Sequence, residues 1–195
     1  MWSINDFNKW DNEGRPINEN VVELNISGSS LKFLGNLENL VNLKSLQCHN
    51  NQLTSLEGIE NLNKLLFLYC QNNQLTSLEG IENLVNLEEL FCEYNQLTSL
   101  EGIENLINLR ELDCENNKLT SLEGIENLIK LIKNKNITLN ALFFDFVDYD
   151  DYTELVNLFV ELVMCENNYK IYEYIEEIEQ MIAELNERFQ KCILR

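Results

Sequence analysis

Leucines recur along this chain with a fixed rhythm. In residues 40–61, LVNLKSLQCHNNQLTSLEGIEN, the apolar side chains that recur from copy to copy fall at 40, 43, 46, 48, 53, 56 and 59. The pattern starts again at residues 62, 84 and 106, a period of 22. Within it, QLTSLEGIENL at 52–62 returns unchanged at 74–84 and 96–106, and at 118–128 with Lys118 in place of Gln. A looser copy comes first, placing Val21, Leu24, Ile26 and Leu31 on the template with Ser29 where later copies have Asn. After Leu128 the pattern fails, because Asn134 and Asn136 stand where Leu and Cys are due. Five units and a degenerate sixth are expected.

One such unit cannot bury its own leucines, but stacked units share a continuous core. In Leu68-Tyr69-Cys70 the period-2 alternation sends Leu68 and Cys70 inward and Tyr69 outward, which predicts a short strand. Successive strands then pair in parallel about 4.8 Å apart. Asn51, Asn73, Asn95 and Asn117 follow the strands. Their amides, with two donors and an acceptor oxygen, suit a turn whose backbone groups are buried by stacking. Gly58, Gly80, Gly102 and Gly124 are expected to permit a tight bend on the return.

The unit reads L-x-x-L-x-x-L-x-C-x-x-N-x-L-x-x-L-x-x-I, which resembles the leucine-rich repeat, specifically its 22-residue SDS22-like and internalin-like class. The resemblance covers roughly residues 21–131. It implies an α/β solenoid with a short parallel sheet on its concave face and an irregular or 3-10 convex side. It also implies a generic role in protein–protein interaction, without naming a target.

Both ends of a solenoid need covering. In an N-terminal cap, residues 1–20, Trp2, Phe7 and Trp10 are placed to cover the first coil. The repeats are assigned to 21–138, and 139–195 to an acidic C-terminal α-helical cap. There Ile171, Tyr174, Ile175, Ile178, Met181, Ile182, Leu185 and Phe189 share one helical face. That face caps the last coil or, in the alternative reading, makes the chain an assembly protein that self-associates as a homodimer.

The residues that vary between copies are the outward strand positions. The first coil offers Glu23, Asn25 and Ser27, and the second Ser45, Gln47 and His49. The third presents Phe67, Tyr69 and Gln71, the fourth Glu89, Phe91, Glu93 and Tyr94, and the fifth Glu111, Asp113 and Glu115. A polar front thus grades into an aromatic centre and an acidic rear. Neutral drift among copies would favour Ser, Asn, Lys and Glu, whereas clustered rings are what a binding hot spot requires. The residues from Gln47 to Glu115 in this series are the expected partner-binding surface.

Composition narrows the partner. The chain has 195 residues with a formal charge of −19. Such a surface repels phosphate, so nucleic acid and anionic membrane are not expected partners, and a protein with basic and apolar surface is. The first residues carry acids and amides where a secretory signal would be apolar, and no run reaches the roughly 20 apolar residues of a membrane helix. Cys48, Cys70, Cys92 and Cys114 fall one per repeat, a packing position and no disulfide framework, so an intracellular, cytoplasmic location is expected. Four thiols in a straight column cannot converge on one tetrahedral metal centre.

His49 is the single histidine and projects outward by phase, which suits a contact better than a catalytic base. Asp148, Asp150 and Asp151 lack the glycine and terminal glutamate of a calcium loop. The expectation is a non-enzymatic protein with no cofactor and no metal.

Overall fold

The chain winds into parallel coils, each contributing one short strand to a single sheet. The computed structural model describes residues 1–119, 141–146, 176–178 and 180. The strands are β1 (Glu23–Asn25), β2 (Ser45–Gln47), β3 (Phe67–Tyr69), β4 (Glu89–Phe91), β5 (Glu111–Leu119) and β6 (Ala141–Phe146), in that spatial order. All neighbours pair in parallel, with Leu24, Leu46, Leu68, Leu90 and Leu112 in register. A shift of 22 residues per strand is what the sequence period dictates, since any other register would break this leucine column.

Behind the sheet the core is continuous. Leu46, Cys48, Leu53, Leu56, Ile59 and their equivalents through the fourth coil are fully buried. Asn51 shows how the turns survive this burial. Its Nδ2 donates to the carbonyls of Ile26 and Cys48, both at 2.9 Å, and its Oδ1 accepts from the Ser29 and Leu31 amides. Asn73, Asn95 and Asn117 repeat the arrangement one coil on, each donating to the Cys carbonyls of two successive coils. The asparagine column therefore ties every turn to the preceding one.

Among the described residues the convex return is built from turns and one 3-10 segment, Ile103–Asn105. Gly58, Gly80 and Gly102 have φ near +105°, +103° and +101°, a region that L side chains rarely enter. Each glycine amide is capped by a glutamate two residues on: Gly58 by Glu60, Gly80 by Glu82 and Gly102 by Glu104, at 2.8–2.9 Å. That contact explains why the second glutamate of L-E-G-I-E never varies. A second ladder runs beside it, in which Asn42, Asn86 and Asn108 each donate to a carbonyl of the preceding coil at 2.8 Å.

At the front, helix α1 (Ile4–Asn12) lays Phe7 and Trp10 into the core. Trp2 bridges to β1 through its amide and carbonyl, at 2.7 and 2.8 Å. Arg15 locks this arrangement. Its guanidinium lies over Phe7 and Trp10, 5.4 and 5.3 Å from the ring centroids, and donates to the carbonyls of Asn36 and Leu34.

At the rear the structure departs from expectation. Residues 141–146, read from the sequence as the front of a helical cap, instead form β6 and extend the sheet, pairing Glu111 with Ala141 and Cys114 with Phe144. The segment ALFFDF is rich in strand-favouring residues, and β5 offers it an unpaired edge. Most of the expected helical cap lies outside the described residues. Glu176–Ile178 and Gln180 are helical, and Ile178 is buried with the core.

Candidate protein-binding surface

The outward side chains of β1–β5 form the concave face. Alternation along each strand dictates this: in β3 and β4 the central leucine is buried and its neighbours are half-buried. Ser45 is the exception, only 8% exposed, and Phe67 is its partner across the ladder. The second coil therefore offers Gln47 and His49.

Short polar bonds order the front of the face. Asn25 donates to Gln47 Oε1 at 3.0 Å and accepts from the Ser27 amide and hydroxyl. The Asn50 side-chain amide and Nδ1 of His49 share a hydrogen bond of 2.8 Å.

At the centre the rings of Tyr69 and Phe91 meet, with centroids 5.3 Å apart at 59°. Tilted contact of this kind suits the quadrupoles of two aromatic rings. The Tyr69 hydroxyl donates to Glu89 at 2.6 Å. Burial, followed by that bond and the charges of Glu89 and Glu111, raises the phenol's pKa well above its ordinary value. Phe67 is half-buried beside them on β3.

Acids dominate the rear. Glu111 and Asp113 project from β5 opposite Glu89 and Phe91. Burial is the main cause of the raised Glu93 pKa; its own backbone hydrogen bond opposes the shift, and the charges of Asp113 and Glu115 add to it. Among the described residues, Glu93 Oε2 and Gln71 Oε1 are buried polar atoms that make no hydrogen bond. These two side chains are equivalent positions of neighbouring coils.

Tyr94 adds a feature that residue type and spacing concealed. Its φ is +55°, in the left-handed region. The matching positions of the other coils are Gly28, Asn50, Asn72 and Asn116, the types that tolerate this conformation. Tyr94 alone carries a ring there, 55% exposed. The sequence signal was present, a tyrosine in a column otherwise of glycine and asparagine, but it is meaningful only once that column is known to be left-handed.

The cysteine column faces the opposite way. Cys48, Cys70, Cys92 and Cys114 are buried free thiols. Burial pushes Cys48 up to about 12 and raises Cys70 and Cys92 well above the ordinary thiol value, so these three stay protonated and act as packing groups.

Comparison with known proteins agrees with this geometry. The sequence pattern described as leucine-rich repeats in two copies matches residues 63–105 and 85–127. No curated protein matches the chain significantly. Among solved structures, internalin C2 from Listeria monocytogenes is 24% identical, with a TM-score of 0.54, and the match covers 62% of this chain and 50% of that one. A second Listeria monocytogenes internalin, inlF, is 20% identical, with a TM-score of 0.45 and coverage of 66% and 49%. The match thus spans about half the length of each of these structures. The 22-residue register, the asparagine column and the parallel sheet give this chain a leucine-rich-repeat fold like that of internalin C2, with residues 63–127 matching the repeat family itself.

Proposed function

We propose that the chain is a non-enzymatic interaction module that binds another protein of basic and apolar character through its concave face. Leucine-rich-repeat solenoids are generally protein-interaction modules and typically lack catalytic sites, which supports the broad reading. The observation that carries the finer one is the Tyr69–Phe91 ring pair set against the carboxylates of Glu89, Glu93, Glu111 and Asp113. Burying such rings supplies most of the affinity of an interface, and complementary charge supplies its speed and selectivity.

Four buried cysteines outside any disulfide support a reducing compartment. Among the described residues no helix is long and apolar enough to cross a membrane. Self-association through the C-terminal helix is the competing reading. The burial of Ile178, which lies on the face that such a dimer would use, favours the concave surface.

The test is capture of partners by immobilised full-length chain, followed by titration of each purified candidate. A Phe67→Ala/Tyr69→Ala/Phe91→Ala variant, first shown to melt like its parent, should lose affinity by a factor of at least ten, and raised salt should weaken the native complex. A partner retained equally by parent and variant would move the interface elsewhere. Light scattering that gave a dimer would revive the alternative.

A further inference from the structure

On the concave face a patch of four side chains is set out two by two. Tyr69 and Phe91 stand opposite each other on β3 and β4. Two residues farther along, on the same face, stand Gln71 and Glu93. Backbone pairing continues through this second row, since the amides of Cys70 and Asn72 donate to the carbonyls of Phe91 and Glu93 at 2.8 and 3.0 Å. The rows are about 6.6 Å apart and the columns about 4.8 Å.

Gln71 Oε1 and Glu93 Oε2 are both acceptors, and among the described residues neither has a donor. Buried acceptors without partners are costly and uncommon in native proteins. Both residues as a whole are only half-buried, so the patch lies within reach of a partner's side chain. What these two oxygens lack is a donor, and the carboxylates of Glu89, Glu111 and Asp113 nearby favour a cationic one.

We infer that this patch receives an arginine side chain of the partner, with the guanidinium donating to Gln71 and Glu93 and the aliphatic stem lying across the Tyr69–Phe91 pair. The inference rests on the concave face being the binding surface. Arginine fits better than lysine for three reasons. Its donors sit on separate nitrogens and so reach two acceptors on different strands. Its plane stacks on aromatic rings, and its weak hydration makes it cheaper to dock on a half-buried surface. Its stem is long enough to span the two rows.

The test uses the full-length chain and three blocked tripeptides of leucine, a central residue and alanine. The central residue is arginine, lysine or citrulline, which keeps the shape of arginine without its charge. Binding is followed by the ring and carboxylate NMR signals of Tyr69, Phe91 and Glu93. The arginine peptide should shift all three, binding several-fold more tightly than the lysine peptide, with no effect from citrulline. Glu93→Gln, which keeps the side-chain shape, should abolish the preference for arginine.

Equal binding of arginine and lysine peptides at these signals would overturn the inference while leaving the concave-face reading in place. Arginine binding that survives Glu93→Gln, or that shifts other residues, would also overturn it. If a purified partner is lost on mutating the rings and yet retains full affinity when each of its arginines is changed to lysine, the inference again fails alone.

Discussion

Tyr94 pairs exposure with an unfavourable backbone conformation, and the two have opposite consequences. Left-handed geometry costs an ordinary L-residue about 1 kcal/mol more than it costs asparagine or glycine. Tyr94→Asn should therefore raise stability by about that amount in chemical denaturation, while weakening partner binding if the exposed ring is an anchor. Asn73 lies at the other extreme. Asn73→Ala strips donors from the carbonyls of Cys48 and Cys70 and the acceptor from the Leu53 amide. Such buried losses cost roughly 3 kcal/mol together, measurable as a lowered urea midpoint with the slope unchanged.

Glu93 gives a pH signature. The folded chain holds its proton more tightly than the unfolded chain, whose value lies near the ordinary 4.5. Stability contributed by protonation is thus present at low pH and lost as pH rises through the raised folded value. Glu93→Gln should raise the melting temperature at pH 7, and the gain should vanish near pH 4. The asparagine column and the inward leucines were legible from period and residue type alone. The strain at Tyr94 and the orphaned oxygens of Gln71 and Glu93 were not, because they depend on backbone angle and on what neighbouring coils bring alongside.

Among the elements, the convex bends are alike in conformation and unlike in crowding. A Cβ at Gly58 would lie only 2.1 Å from the Gly35 carbonyl oxygen, whereas at Gly80 the nearest atom is 3.5 Å away. Gly80→Ala should cost about 1–2 kcal/mol from conformation alone. Gly58→Ala should cost distinctly more, since backbone must move as well; equal losses in paired denaturation curves would refute this. The sequence makes the two glycines identical, and only the looser first coil, with its Gly35, separates them. The strands β1–β5 could be read from alternation in a fixed register. β6 could not, because it begins 30 residues after β5 instead of 22, and its apolar run fits a buried helix as well as a strand.

For the whole molecule, a stack of coils is only as stable as its ends, because each unit rests on its neighbour. The front is closed by Phe7 and Trp10 with Arg15 over both rings. Trp10→Ala should cost about 3–5 kcal/mol, and hydrogen exchange should rise first in the coil carrying β1, with the coil carrying β4 affected last. Uniform loss of protection along the stack would show instead that the coils melt as one unit. The net charge of −19 acts at this scale too, making the unliganded chain more stable as salt rises while weakening a basic partner.

The strict 22-residue register has a last consequence. Because every coil from residue 40 presents the same joining surfaces, the concave face behaves as a ruler graduated in strands. Duplicating one coil between β4 and β5 would leave the core intact and move the acids about 4.8 Å away from the rings. Chains differing only in coil number would then recognise ligands that differ in the distance between their apolar and basic groups.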